Sequence, residues 1–158
     1  MVYIIKKKLL SWSDTFNILD DNGSIVFTVV SDILSLVRTF KVFDINNSEV
    51  GLIKRKIISF LPTFSIEKNG AQVGYIKKLA TAFKPKYEID YRGYTIEGDL
   101  YGWDYLVKNN LGKIIAKVTK EHFHLTYTYK IEVLSNAKDI MDLILFIVAI
   151  YELQINDK

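Results

Sequence analysis

The sequence predicts a mainly β protein: a closed antiparallel β-barrel of about twelve strands around a buried hydrophobic C-terminal α-helix. Three observations predict it. An aromatic, a spacer and an aliphatic recur six times: Phe16-x-Ile18, Phe40-x-Val42, Phe64-x-Ile66, Tyr87-x-Ile89, Tyr105-x-Val107 and Tyr129-x-Ile131. Polar turn residues follow most copies, and a second alternating stretch follows those, so each repeat reads as a hairpin. Finally, the segment Ile140–Tyr151 carries apolar side chains around the whole helical circumference, interrupted by Asp142.

The elements follow in chain order. Alternating segments fill residues from about 2 to 134, and a period of two marks half-buried strands. Phe40 and Val42 alternate with polar neighbours, and past the turn Val50 and Leu52 do the same. Phe64-Ser65-Ile66-Glu67 precedes the stretch Val73–Lys77. Tyr87–Asp90 is expected to face Tyr94–Glu97. The breaks carry turn chemistry in Asp20–Gly23, Asn46–Ser48, Lys68–Gly70, Arg92-Gly93 and Asn109–Gly112. Asn and Gly tolerate the positive φ of tight hairpins. The two prolines, Pro62 and Pro85, stand just before aromatic-opened strands, where a missing ladder donor does least harm.

The last repeat ends in Ser135-Asn136-Ala137, and a helix is expected over about 137–153. Ser135 or Asn136 would cap it, and Asp139 suits its first turn. Ile140, Met141, Leu143 to Val148 and Ile150 cover every face, and such a helix must be buried on every face. Barrel closure removes aggregation-prone sheet edges. A helix about 10 Å across needs about a dozen strands around it. A helix across one face of an open sheet, or a membrane segment, are the alternatives. The apolar run Leu143–Tyr151 is far shorter than the roughly 20 residues of a membrane span.

A single domain over 1–158 is expected. The chain has no cysteine, which excludes disulfides and thiolate metal sites and suits a reducing compartment such as bacterial cytoplasm. At the N-terminus, Val2–Ile5 precedes Lys6–Lys8, the reverse of a signal peptide. The formal net charge of +3 is too small to argue for nucleic acid.

Lys54-Arg55-Lys56 and Lys77-Lys78 occupy equivalent places in successive repeats. In-phase strands would bring both to one side of the barrel, where they would hold a phosphate or an anionic membrane surface. The alternative is that they only solubilise strand ends. Lys84 and Lys86 would extend the patch. His122 and His124 share a strand face, but no third metal ligand stands nearby, so no metal site or cofactor is expected. Glu97 and Asp99 flank Gly98, which reads better as a bend required for closure than as part of a carboxylate site. The aromatic side chains Trp12, Trp103, Tyr91, Tyr94, Tyr101, Tyr127 and Tyr151 are expected mainly in the core. GxSxG, GxxxxGK[ST] and GxGxxG are all absent, and no enzyme is expected.

Several strings together are specific: Lys8–Asp14 (KLLSWSD), Lys56–Pro62 (KIISFLP), Phe83–Tyr87 (FKPKY), Glu97-Gly98-Asp99 and Lys120-Glu121. Over essentially the whole chain they make it resemble the LURP-one-related family in its short bacterial, YxjI-like form, within the tubby C-terminal-like superfamily. The resemblance implies a twelve-stranded barrel around a hydrophobic C-terminal helix. Tubby proteins bind phosphoinositide headgroups through basic barrel residues, but their motif is not visible here, so none of those residues carries over. The palmitoylation of scramblases in the same superfamily needs cysteine, which is absent. The expected function is a cytoplasmic, non-catalytic binding module. It would contact anionic phospholipid headgroups or phosphate through Lys54, Arg55, Lys56, Lys77 and Lys78, peripherally at a membrane. The alternatives are a protein-interaction scaffold with an exposed apolar patch and an enzyme with an unrecognised site at the barrel mouth.

Overall fold

The computed structural model describes residues 1–8, 15–32, 37–82, 86–99, 102, 104–123, 126–134 and 140–155. Twelve strands form one antiparallel sheet: β1 (Val2–Lys8), β2 (Phe16–Asp20), β3 (Ile25–Asp32), β4 (Thr39–Asp44), β5 (Glu49–Arg55), β6 (Thr63–Lys68), β7 (Ala71–Leu79), β8 (Lys86–Asp90), β9 (Thr95–Asp99), β10 (Asp104–Lys108), β11 (Ile114–Phe123) and β12 (Thr126–Val133). A helix, α1 (Ile140–Ile155), follows. The expected caps Ser135 and Asn136, and Asp139, lie outside the described residues.

The strand order is β8-β7-β6-β5-β4-β3-β2-β1-β12-β11-β10-β9. The first and last strands, β1 and β12, pair from Val2↔Glu132 to Lys8↔Thr126 at the middle of that order, which leaves the consecutive strands β8 and β9 as the two edges of the sheet. The sheet curls around α1 into a nearly closed barrel. One seam remains, between β8 and β9, so the expected Tyr87–Asp90/Tyr94–Glu97 hairpin is not formed. A short turn at Tyr91–Tyr94 joins those strands, with the Tyr94 N–H donating to the Tyr91 carbonyl (2.9 Å). Their edges nevertheless form no ladder. Within β9, Gly98 adopts φ +123°, and a Cβ there would lie 2.6 Å from the Asp104 carbonyl oxygen. A bend at that position is open to glycine alone.

The six sequence repeats map onto the even-numbered strands. Their openers point inward, and in β2, β4, β6, β10 and β12 both residues of each pair are buried. Only Tyr87 and Ile89, on the seam strand β8, are partly exposed. The hairpin turns repeat one device. Asp20 Oδ1 accepts from the N–H groups of Asn22 and Ser24 (2.9 and 2.8 Å), and Asp44 Oδ1 from those of Asn46 and Ser48 (both 2.9 Å). Asn109 Oδ1 accepts from Leu111 and Lys113 (both 3.0 Å). Asp and Asn reproduce a backbone turn in this way. Asn69 and Gly70 instead have φ of 53° and 76°, as a two-residue hairpin turn of the right twist requires.

Register shifts precede these turns, between Ile18 and Leu19, Val42 and Phe43, Ile66 and Glu67, and Val107 and Lys108. Each bulge changes the phase of the strand after the turn. Val42 therefore faces Gly51, and Phe40 faces Ile53, so Gly51 and Ile53 point inward in place of the expected Val50 and Leu52. Gly51 makes room for α1, because a Cβ there would lie 2.6 Å from the methyl groups of Leu145. Gly74 does the same for the Tyr91 ring.

The helix fills the interior, and residues Leu143–Leu153 are all buried. Phe146 packs between Tyr91 (centroids 6.3 Å, near-parallel) and Tyr94 (5.4 Å, edge-on), while Tyr151 meets Phe16 and Tyr129 (both 5.3 Å). Tyr91, Tyr94 and Tyr151 are thus core aromatics; Trp12, Tyr101, Trp103 and the Tyr127 side chain lie outside the described residues. Among the described residues no helix is long and apolar enough to cross a membrane.

Candidate functional site

The two barrel ends differ. The turns β2–β3, β4–β5, β6–β7, β8–β9 and β10–β11 lie at one end, with Asp, Asn and Gly at their centres. The loop 56–62, between β5 and β6, lies at the opposite end. Both basic clusters sit beside this loop. Lys54 faces Ser65, Arg55 faces Phe64 and Thr63 faces Lys77 across the ladders. The Lys56 N–H donates to the Thr63 carbonyl and the Lys78 N–H to the Pro62 carbonyl, both at 2.9 Å. The rows Lys56–Thr63–Lys77 and Lys54–Ser65–Tyr75 therefore run side by side across β5, β6 and β7.

Alternation divides the cations. Ile53, Phe64 and Ile76 point inward, so Lys54, Lys56 and Lys77 lie on the outer wall. Arg55 and Lys78 belong to the inward rows, where those rows run out at the rim; Arg55 is exposed and Lys78 partly so. No salt bridge among the described residues involves Lys54, Arg55, Lys56 or Lys77. The Lys56 ammonium stands 5.9 Å from the centre of the Tyr75 ring, and the Tyr75 hydroxyl hydrogen-bonds to Glu88. Lys84 lies outside the described residues, and Lys86 is exposed on β8 opposite Leu79.

Beside the cluster a cleft of about 400 Å³ opens on the outer wall, bounded by Lys54, Arg55, Lys56, Ile57 and Ile58, with Ser65 and Glu67 on β6. Ser65 is buried and its hydroxyl lies 3.3 Å from the Lys54 carbonyl and 3.5 Å from Glu67 Oε1. A carboxylate in the cleft disfavours an anion there, so an anionic group is best met at the rim, by the ammonium and guanidinium groups.

The other charged cluster is one that sequence reasoning missed. At the turn end, Asp142 in the first turn of α1 is buried. It accepts from the Lys68 ammonium (2.7 Å) and the Tyr91 hydroxyl (2.9 Å), and it pairs with the Arg92 guanidinium. Burial pushes its carboxyl up, but the hydrogen bonds from Lys68 and Tyr91 and the charges of Lys68 and Arg92 hold it below its ordinary value. Burial, then the bond to Asp142, raises the Tyr91 phenol far above its usual range. Because Tyr91 and Arg92 belong to the β8–β9 connection, the cluster ties the seam to the helix. The only sequence signal was an acidic residue interrupting an apolar run. At the other end of α1, buried Glu152 lies 3.9 Å from Arg38.

The remaining candidates separate. Glu97 pairs with Lys108 on the neighbouring strand, as a surface cross-strand pair, and Asp99 is exposed. His122 pairs with Tyr127 through the backbone of β11, but its side chain and all of His124 lie outside the described residues. Among the described residues no group of His, Cys, Asp or Glu has the arrangement of a metal site.

A twelve-stranded barrel filled by its own C-terminal helix is a narrow class of fold. The LURP-one-related family model matches residues 1–152, and the chain belongs to that family. It is similar in fold to the X-ray structure of a protein from Arabidopsis thaliana, with a TM-score of 0.56 at 15% sequence identity, covering 94% of this chain and 92% of that one. None of the curated proteins matches this sequence.

Proposed function

We propose that this barrel is a non-catalytic binding module that docks reversibly on anionic phospholipid headgroups, peripherally at a membrane and on its cytoplasmic side. The observation that carries the reading is the convergence of Lys54, Arg55, Lys56, Lys77 and Lys78 on one rim, four of them in no salt bridge among the described residues. Each cation near an anionic leaflet contributes about 1 kcal/mol of attraction, so several on one rim suffice for reversible docking. The filled interior favours a surface role over chemistry at a mouth, because α1 occupies the space in which a substrate pocket would form. The test is sedimentation with neutral phosphatidylcholine vesicles and with vesicles containing phosphatidylserine, at low and high salt. Binding restricted to the acidic vesicles and weakened by salt is expected. Equal binding to both vesicle types, or to neither, would count against the reading.

A further inference from the structure

Loop 56–62 exposes an unusual tip. Ile57 is 67% exposed, Ile58 98%, and Phe60 is entirely in water. Other strongly exposed large apolar side chains among the described residues, such as Ile45 and Leu111, stand singly, whereas these three cluster within four positions, which marks an interaction surface. The loop is built, not frayed. Lys56 N–H bonds to Thr63 and Lys78 N–H to Pro62. The Thr63 hydroxyl donates to the Leu61 carbonyl (3.0 Å), which leaves the Ser59 hydroxyl to donate to Thr63 Oγ1 (2.9 Å). The tip is held out from the wall before anything binds, so little ordering cost remains to be met on docking.

Resting on the docking reading above, we infer that this tip is a membrane wedge: Ile57, Ile58 and Phe60 enter the boundary between headgroups and acyl chains while the flanking cations hold the anionic headgroups. The barrel then stands with its loop end down and its Asp/Asn/Gly turns facing away. Charge complementarity selects lipid as the occupant. The apolar tip lies between Lys54–Lys56 on one strand and Lys77–Lys78 on the next but one. Of the nearby carboxylates, Glu88 is held by Tyr75 and Glu67 lies back along β6 in the cleft. The size of the tip argues in the same direction. A stable protein interface buries roughly 1,000 Å² or more, which a convex tip of three side chains does not supply, whereas a fluid bilayer boundary accepts it without a shaped partner pocket.

The absence of cysteine allows a single label at a chosen place. Ile58→Cys carries an NBD fluorophore at the tip. Leu111→Cys, 85% exposed in a turn at the opposite end, carries the control. Both positions are exposed, so the fold should survive, and circular dichroism checks that it does. With phosphatidylserine vesicles, the Ile58 label should shift to the blue and be quenched by doxyl lipids, while the Leu111 label should stay unchanged. Phe60→Ser should lower the partition coefficient about tenfold, its remaining binding still salt-sensitive. Vesicles that pellet the protein without altering the Ile58 label would overturn insertion and leave electrostatic docking standing. No pelleting would overturn both. Equal shifts at both labels would overturn the orientation. An Ile58 label unmoved by vesicles but shielded by a protein from cell extract would assign the tip to a protein partner instead.

Discussion

Replacing Asp142 by Asn should lower stability by about 2–3 kcal/mol, and the reasoning can be followed contact by contact. The carboxylate takes one charged hydrogen bond from Lys68 and one from Arg92, and a neutral one from Tyr91. Removing one partner of a fully buried ion pair costs about 3–5 kcal/mol, because the other charge is stranded. Here the stranded charges can rehydrate: the Lys68 side chain is 25% exposed and that of Arg92 is 53%. We therefore take about 1.5–2 kcal/mol for the bond to Lys68 and less than about 1 kcal/mol for the more exposed Arg92. The amide oxygen of Asn still accepts from Tyr91, so that contact cancels. With a urea slope of about 2 kcal/mol/M, the midpoint of unfolding should fall by about 1 M. The pH dependence supplies a second check. The native carboxyl is held below its unfolded value of about 3.9, so its stabilisation is fully present above that pH and is lost as pH falls through the native value. The gap between wild type and Asp142→Asn should be constant near neutrality and close in strong acid. A midpoint shift below about 0.3 M, or a gap that widens in acid, would refute the cluster as a fastening of the seam.

Phe146→Ala should cost about 3–5 kcal/mol, since the ring is fully enclosed between Tyr91 and Tyr94; calorimetry that finds less than about 1 kcal/mol would mean that the helix is not the core. Gly98→Ala should also destabilise the barrel, because φ of +123° and a carbonyl at 2.6 Å forbid a methyl group there; an unchanged thermal midpoint would contradict the bend. Lys54→Gln, Lys56→Gln and Lys77→Gln combined should weaken sedimentation with acidic vesicles about 100-fold at low salt, and flatten its salt dependence, with no change in the unfolding midpoint. Retained affinity in that triple variant would move the docking face elsewhere.

The features that could be read in advance share a physical cause: they are local or periodic. Openers such as Phe64-x-Ile66 must alternate because every strand has one wet face, and the Asp/Asn/Gly turns need particular side chains at particular φ. The helix could be placed because nine apolar positions around its circumference have no other home. What escaped was non-local. A bulge adds one residue to one strand and leaves no mark in composition, so the inward pair in β5 read as Val50 and Leu52 when it is Gly51 and Ile53. The seam escaped for a related reason. Asp90 and Thr95 flank a good turn sequence, but the packing of Tyr91 and Tyr94 onto Phe146, with the contacts of Tyr91 and Arg92 to Asp142, binds that turn to the helix. For the candidate site, the equal spacing of the two basic clusters foretold their meeting on one rim. The exposure of Ile58 and Phe60 was not foretold, because an apolar string between two strands reads equally well as core.

The helix follows all twelve strands in the order of synthesis. While a ribosome makes this chain, twelve strands emerge before anything exists for them to enclose, and their greasy inner surface has no mate until Leu143 to Leu153 clears the exit tunnel. The slot between β8 and β9 means that the late segment need not be threaded through a finished cylinder; the sheet can roll up around it and be fastened afterwards. Nascent chains halted before residue 143 should therefore stay open to protease and bound to holdase chaperones, and a stop codon at Leu143 should be as damaging as one near the start.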